Sequence, residues 1–250
     1  MAISKETEIL APLIAKFLEN RKDERPECSG YISASQVGKC PRALAFILFG
    51  EKEVYSLDVK KIFDTGHAFH GKIEKYLNGL REMGDITIEA MEDRKYDEKL
   101  KITGKCDSVI KINATGERYL IELKSIKDAG YEWLKEPKPE HVGQAHVYMQ
   151  MFDVRKALIV YENKDTQKMK EFLVNWDPKV LDEIRKKLKK VFKKVAQKKL
   201  PAKPYVETDW QCRYCSFKKY CWAKDVGEGA MSIFDTDDRK GDTLDVNDGR

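Results

Sequence analysis

Length, composition and charge set the first limits on this chain. Its 250 residues are enough for one main domain with a substantial core, so we expect terminal additions to it rather than a second independent domain. A formal net charge of +5 suits a soluble protein with a mild preference for anionic partners. No apolar run approaches the roughly 18 residues of a membrane span, and the first ten residues lack the apolar centre of a signal peptide. We therefore expect a cytoplasmic protein with no membrane partner, in which the thiols of the six cysteines stay reduced.

Two helices are predicted in the first part of the chain. Apolar residues recur at helical spacing over 9–18, so an amphipathic helix should end near Asn20. Pro41 is typical of a first helical position, which makes Cys40 the N-cap of a helix that runs to about Phe49. The helix dipole favours a thiolate at that position.

A long helix and several strands follow. The stretch 60–83 predicts a helix that turns His70 towards the core, on the same face as Ile73, Leu77 and Leu80. Later elements are predicted as strands at 86–94, 100–112, 117–126, 157–161 and 172–176, and as helices at 139–152 and 182–199. Because helices and strands are mixed along the chain, the fold class is α/β or α+β.

The predicted turn at 113–116 joins two strands into a hairpin and sets which residues face each other. If the turn closes symmetrically, Asp107 lies opposite Glu122, and Lys124 shares a strand face with Glu122. Like charges placed opposite each other destabilise a hairpin unless a cation lies between them. The pattern therefore predicts a divalent metal site, and carboxylate oxygens with an imidazole from His70 favour magnesium or manganese.

Two alternatives stay open for these charged residues. One bulge in the turn would shift the pairing by a residue and move the side chains to the other face. An Asp followed along the chain by Glu-x-Lys also fits the solvated face of an ordinary strand, with Ile121 and Leu123 on its apolar face.

Four cysteines form a second pattern that is typical of metal binding. Cys212, Cys215 and Cys221 lie in one short stretch, and Cys40 can supply a fourth thiolate from the other end of the chain. The spacing fits structural zinc as well as a four-iron four-sulfur cluster. Free cysteines packed among the nearby aromatic residues are a third interpretation.

Five short motifs occur in a fixed order over about 31–222. They are Cys40-Pro-Arg42, Gly66-His-Ala-Phe-His70, Gly104-Lys-Cys-Asp107, Glu122-Leu-Lys124 and Gln144-Ala-His-Val-Tyr148, and the three late cysteines follow them. This ordered set resembles the PD-(D/E)XK nucleases, specifically the RecB-like branch that contains the CRISPR-associated Cas-four exonucleases. The resemblance implies a central mixed β-sheet flanked by helices, with an iron-sulfur cluster joining the N- and C-terminal segments.

The resemblance also implies a role for each residue that matches the catalytic motifs. His70, Asp107 and Glu122 would hold a manganese or magnesium ion. Lys124 would orient or activate the attacking water, so that these four residues form the catalytic centre.

Further roles follow from the other motifs. Gln144 and Tyr148 would contact DNA near the scissile phosphate. A 4Fe-4S cluster, with zinc as the alternative, would be held by Cys40, Cys212, Cys215 and Cys221. Cys106 departs from the aliphatic residue usual before the motif aspartate, and its position on the opposite strand face predicts a core residue.

The predicted function is that of a metal-dependent deoxyribonuclease that hydrolyses phosphodiester bonds. It would be an exonuclease, 5′-to-3′, on single strands or free DNA ends in recombination, repair, phage replication or CRISPR adaptation. No P-loop is present, so unwinding would come from a helicase, recombination or CRISPR integration partner. The alternative is a non-catalytic iron-sulfur or zinc DNA-binding subunit of a larger helicase-nuclease or integration complex.

Three segments are expected from this organisation. An N-terminal helix and linker would occupy 1–30, and the RecB-like nuclease domain with its cysteine cluster would occupy 31–226. The remaining stretch, 227–250, is rich in Asp, Gly and Thr and is predicted to be a disordered acidic tail.

Overall fold

The structure of the chain is a computed structural model that describes residues 10–21 and 30–222. The acidic tail predicted at 227–250 lies outside these residues. Within the described ranges, no helix combines the length and the apolar character that crossing a membrane requires.

Eight α-helices and eight strands are assigned within the described residues. The helices are α1 (Leu10–Asn20), α2 (Pro41–Leu48), α3 (Leu57–Glu82), α4 (Asp128–Glu132), α5 (Pro139–Phe152), α6 (Pro178–Ala196), α7 (Trp210–Arg213) and α8 (Lys218–Cys221). The strands are β1 (Ile32–Ser33), β2 (Ile86–Met91), β3 (Arg94–Asp97), β4 (Ile102–Lys105), β5 (Ser108–Ile112), β6 (Arg118–Ile126), β7 (Lys156–Asn163) and β8 (Met169–Asn175). A single turn of 3-10 helix covers Ala34–Gln36.

Local signals explain where several of these elements begin. Pro41 is the first residue of α2, and the Cys40 thiol accepts a hydrogen bond from the backbone N–H of Ala43 at 3.4 Å, so the predicted N-cap is confirmed. The long helix α3 starts at Leu57, three residues before the predicted start, because Ser56 caps it.

A five-stranded mixed sheet forms the centre of the fold, in the order β2-β5-β6-β7-β8. The pair β6 and β7 is parallel, and the other neighbours are antiparallel. A smaller sheet has the order β1-β4-β3. The predicted run 100–112 is thus divided at Cys106 and Asp107, where the chain passes from β4 in one sheet to β5 in the other.

Helices cover the central sheet on both faces, which confirms the predicted fold class. On one face α3 packs through Phe69, Ile73 and Leu77 against Ile121 and Leu123 of β6. On the other face α5 and α6 pack over alternate residues of the same strands, in a larger cluster that includes Leu120, Ala145, Met149, Ile159, Ile184 and Leu188. Each buried Leu, Ile, Met or Phe side chain among them contributes roughly 1.5 to 3 kcal/mol. The alternation places Glu122 and Lys124 on the α5 side of β6.

The first helix differs from the rest in its packing. Leu18 is its buried residue, whereas Leu10, Leu13 and Phe17 are each more than 60% exposed. The amphipathic pattern predicted the helix itself correctly. Within the described residues, however, most of its apolar face is not covered.

Candidate functional site

The hairpin of β5 and β6 brings the two predicted carboxylates to the same place. Ser108 pairs with Ile121, which sets Asp107, the residue before β5, beside Glu122. The turn closes without a bulge, since the N–H of Ile112 donates to the carbonyl of Glu117 at 2.9 Å. The predicted register is therefore confirmed.

Asp107 is held in position by the backbone and by α3. Its Oδ2 accepts a hydrogen bond from the N–H of Leu123 at 2.7 Å, and its Oδ1 lies 3.2 Å from Nδ1 of His70. Burial alone would lower the pKa of His70, but the hydrogen bond and charge of Asp107 outweigh it and raise that pKa above its usual value. The imidazole from α3 thus reaches the carboxylate that the sequence predicted as its neighbour.

Glu122 is a fully buried carboxylate that contacts the ammonium group of Lys124. Its Oε1 lies 2.5 Å from Nζ of Lys124, and neither carboxylate oxygen accepts a hydrogen bond of good geometry from any residue in the described ranges. Burial raises the pKa of Glu122, and the ammonium group of Lys124 opposes that rise. A buried carboxylate with unused lone pairs is the donor that a cation would satisfy.

Lys124 keeps its proton at neutral pH. Burial would lower its pKa, but the charges of Glu122 and Asp107 raise it above the usual value. Its Nζ also donates to Oε1 of Gln144 on α5 at 3.2 Å. The ammonium group is therefore fixed between a carboxylate and an amide.

The two residues predicted to contact DNA are both largely buried. Gln144 is 7% exposed, and its Oε1 accepts the hydrogen bond from Nζ of Lys124. Tyr148 is 3% exposed, and its hydroxyl donates to the carbonyl of Lys105 at 2.9 Å. Direct contact with DNA stays a prediction for both, while the structure shows that each positions a neighbouring part of the site.

Glu92 joins this site although the sequence did not indicate it. It follows β2, and its carboxylate lies within 4.8 Å of ligand atoms of both His70 and Asp107. Oxygen and imidazole donors at this spacing suit magnesium or manganese. Among the described residues, the group that the structure brings together is therefore His70, Asp107 and Glu92, and the predicted ligand Glu122 is not part of it.

The four predicted cluster cysteines line a single cavity of about 280 Å³. Cys40 comes from the start of α2, and the other three come from the segment that holds α7 and α8. Burial raises the pKa of Cys215 and of Cys221, and Arg42 and Lys203 oppose this for Cys221. Cavity-lining residues include the cations Lys39, Arg42, Lys203 and Lys218 and the aromatic residues Phe46, Phe217 and Trp222.

Cys106 differs from these four cysteines in its surroundings. It is fully buried in the main core, and burial raises the pKa of its thiol to about 12. The prediction that it is a core residue is confirmed.

Comparisons with known proteins agree with this site. A model of the PD-(D/E)XK nuclease superfamily matches residues 65–222, which include every residue of the proposed catalytic centre. With a mixed sheet flanked by helices and this group of side chains, the chain belongs to the PD-(D/E)XK nuclease superfamily.

One curated relative and one solved structure resemble this chain over most of its length. The chain is 25% identical over 218 residues to the CRISPR-associated exonuclease Cas4 of Saccharolobus solfataricus, covering 85% of this chain and 96% of that protein. The crystal structure of SSO0001 is similar in fold, with a TM-score of 0.54 at 20% identity, over 87% of this chain and 98% of the other. The resemblance drawn from the motifs is therefore confirmed.

Proposed function

We propose that this chain is a divalent-metal-dependent deoxyribonuclease that acts as an exonuclease on single strands or free DNA ends. The observation that carries the proposal is the placement of Asp107 beside the buried, hydrogen-bond-deficient Glu122, with His70 and Lys124 in direct contact with them. The likeness to an exonuclease supports it. We infer that it cleaves with 5′-to-3′ polarity and acts in recombination, repair, phage replication or CRISPR adaptation.

Each site residue has a separate task in this reaction. His70, Asp107 and Glu122 would hold manganese or magnesium, which polarises a phosphoryl oxygen and lowers the pKa of a water molecule. Lys124, which keeps its proton, stabilises the negative charge that develops on the phosphate. Gln144 acts by holding the Lys124 ammonium in place.

Cleavage of end-labelled single- and double-stranded DNA, with magnesium or with manganese, tests this assignment. Lys124→Ala and Asp107→Ala should each lower the rate about a hundredfold or more, because each removes stabilisation of the transition state. DNA binding, followed by fluorescence anisotropy, and the circular dichroism spectrum should persist.

The matched control is Lys127→Ala, since Lys127 is an exposed lysine just beyond the end of the same strand. It should leave cleavage unchanged. Full cleavage by both site variants would refute the catalytic assignment. DNA binding by the wild type with no cleavage under any metal would instead favour the non-catalytic binding subunit.

We also propose that the four-cysteine cavity holds a 4Fe-4S cluster. Four thiolates around tetrahedral zinc would lie roughly 3.8 Å apart, given zinc-sulfur bonds of about 2.3 Å. The four cysteines line one cavity of about 280 Å³, which has room for a larger group than one zinc ion. The surrounding cations would offset the negative charge of a thiolate-bound cluster.

Iron, sulfide and zinc analysis of protein purified without oxygen tests the cluster. The wild type should be brown and contain iron and sulfide, and Cys40→Ala should lose both. Cys106→Ala is the matched control, because it removes a thiol outside the cavity. A colourless wild type with stoichiometric zinc would refute the cluster.

A further inference from the structure

Three acidic residues stand in a row across neighbouring strands of the central sheet. Met91 pairs with Ser108, so the next step sets Glu92 opposite Asp107, and the N–H of Glu92 donates to the carbonyl of Asp107 at 3.2 Å. Glu122 lies on the far side of Asp107. Neighbouring carboxylates repel one another unless a positive charge lies among them.

A bulge in β2 produces this alignment. The register shifts between Ile88 and Ala90, which adds one residue to this strand relative to β5. Without the bulge, Glu92 would face Cys106 and its side chain would point to the opposite side of the sheet. The extra residue therefore directs the Glu92 carboxylate to the side where Asp107 lies.

The ordinary explanation of Glu92 is a surface ion pair with Lys105, which contacts its carboxylate and is 45% exposed. An exposed pair of this kind contributes about 0 to 1 kcal/mol. Glu92 has a φ of 55°, a left-handed conformation that costs a residue with a side chain roughly 1 to 2 kcal/mol. The ion pair alone does not compensate for this backbone.

The distances at the site fit one ion. Ligand atoms of Glu92, His70 and Asp107 all lie within 4.8 Å of one another. An octahedral ion with ligands at about 2.1 Å places opposite donors roughly 4.2 Å apart, so a small adjustment closes this group around it. Glu122, which lies beside Asp107, is fully buried, and neither of its oxygens accepts a hydrogen bond of good geometry from the described residues, which is an independent sign that a cation belongs here.

We propose that Glu92 is an additional ligand of the catalytic divalent ion, and that Lys105 pairs with its carboxylate when the ion is absent. This inference rests on the proposed function, since it adds a residue to the same metal site. A ligand role for Glu92, which lies outside the superfamily motifs, would explain the bulge in β2 and the left-handed backbone at this residue.

Manganese binding to the full-length protein, without DNA, tests this role. The free ion is followed by its electron paramagnetic resonance signal, and heat of binding gives a second measure. Glu92→Gln should weaken the affinity at least about tenfold, the lower end of the loss that even an outer-shell partner causes. Lys105→Ala should bind manganese as tightly as the wild type or more tightly, because it removes a competitor for the carboxylate.

The control is Glu98→Gln, which breaks a comparable exposed ion pair with Lys101 outside the site. It should leave manganese affinity unchanged. Equal affinity of Glu92→Gln and the wild type would overturn the role of Glu92 and leave a simple ion pair. A loss of affinity in Lys105→Ala as large as in Glu92→Gln would overturn it as well.

Asp107→Ala separates this inference from the proposed function. If Asp107→Ala loses manganese binding while Glu92→Gln keeps it, only the role of Glu92 as a ligand is refuted, and the proposed catalytic site stands. If Asp107→Ala binds manganese as well as the wild type does, the proposed catalytic site fails, and the assignment of Glu92 fails with it.

Discussion

Gly104, in the motif that leads to Asp107, lies where a side chain does not fit. A Cβ at this position would lie 2.6 Å from Cε1 of Tyr148 and 2.9 Å from Cβ of Ala34. Carbon atoms normally approach to about 3.5 Å, so Gly104→Ala creates an overlap of roughly 1 Å. Neither neighbour yields easily, because Tyr148 is 3% exposed with its hydroxyl bound to Lys105, and Ala34 is fully buried.

The strand β4 must therefore move to accept the methyl group. Overpacking of this kind costs about 1 to 3 kcal/mol, which lowers the melting temperature by roughly 2 to 12 °C in a protein of this size. Thermal unfolding followed by circular dichroism measures the shift. Because β4 leads through Cys106 to Asp107, the cleavage rate at a temperature where both proteins are folded should also fall.

Two comparisons make the result specific. Gly79→Ala adds the same methyl group inside α3, where a Cβ would meet nothing within 4 Å, and should stabilise the protein by about 0.5 to 1 kcal/mol. In a Tyr148→Leu background the contact with the ring is absent and only the contact with Ala34 remains, so Gly104→Ala should cost less than in the wild type. An unchanged melting temperature for Gly104→Ala in the wild-type background would refute the close contact.

Three further outcomes are expected. Burial alone would raise the pKa of Glu53, but Lys39 and hydrogen bonds lower it to about 2. The ionised carboxylate therefore adds up to about 3 kcal/mol to the free energy of unfolding above pH 4.5. That contribution is lost as the pH falls towards 2. Urea unfolding should show Glu53→Gln less stable at pH 7, with the difference vanishing over that range. Tyr148→Phe should lower stability by about 0.5 to 1.5 kcal/mol, since the part-buried hydrogen bond to the Lys105 carbonyl is lost. An intact affinity for DNA would exclude a direct contact by the hydroxyl. Burial, with Lys124 nearby, lowers the pKa of His141 to about 3, so its ring signals in NMR spectra should not titrate between pH 5 and 8.

Local spacing was enough to predict several features of this protein. Pro41 after Cys40 indicated the cap of α2, because proline fits a first helical turn that lacks hydrogen-bond partners. The length of the 113–116 turn gave the register of β5 and β6, and alternation along β6 separated Glu122 from Leu123. Each of these depends on residues a few positions apart, whose geometry the backbone alone determines.

Other features depended on contacts between distant parts of the chain. The bulge that aligns Glu92 arises where β2 must pair with β5 while α3 packs beside it, and no residue type signals it. Tyr148 matched a motif, yet only its packing against Gly104 shows that its ring fills the core.

The sequence by itself predicted the fold class, the hairpin register and the place of Asp107 beside Glu122, because periodicity and turn length act over a few residues. Tertiary structure alone decided which further residues join them. Glu92 reaches His70 and Asp107, and Gln144 holds Lys124, through contacts that join residues 15 to 22 positions apart on different elements. The distances between these side chains depend on how whole helices and strands pack, and no local sequence pattern predicts that packing.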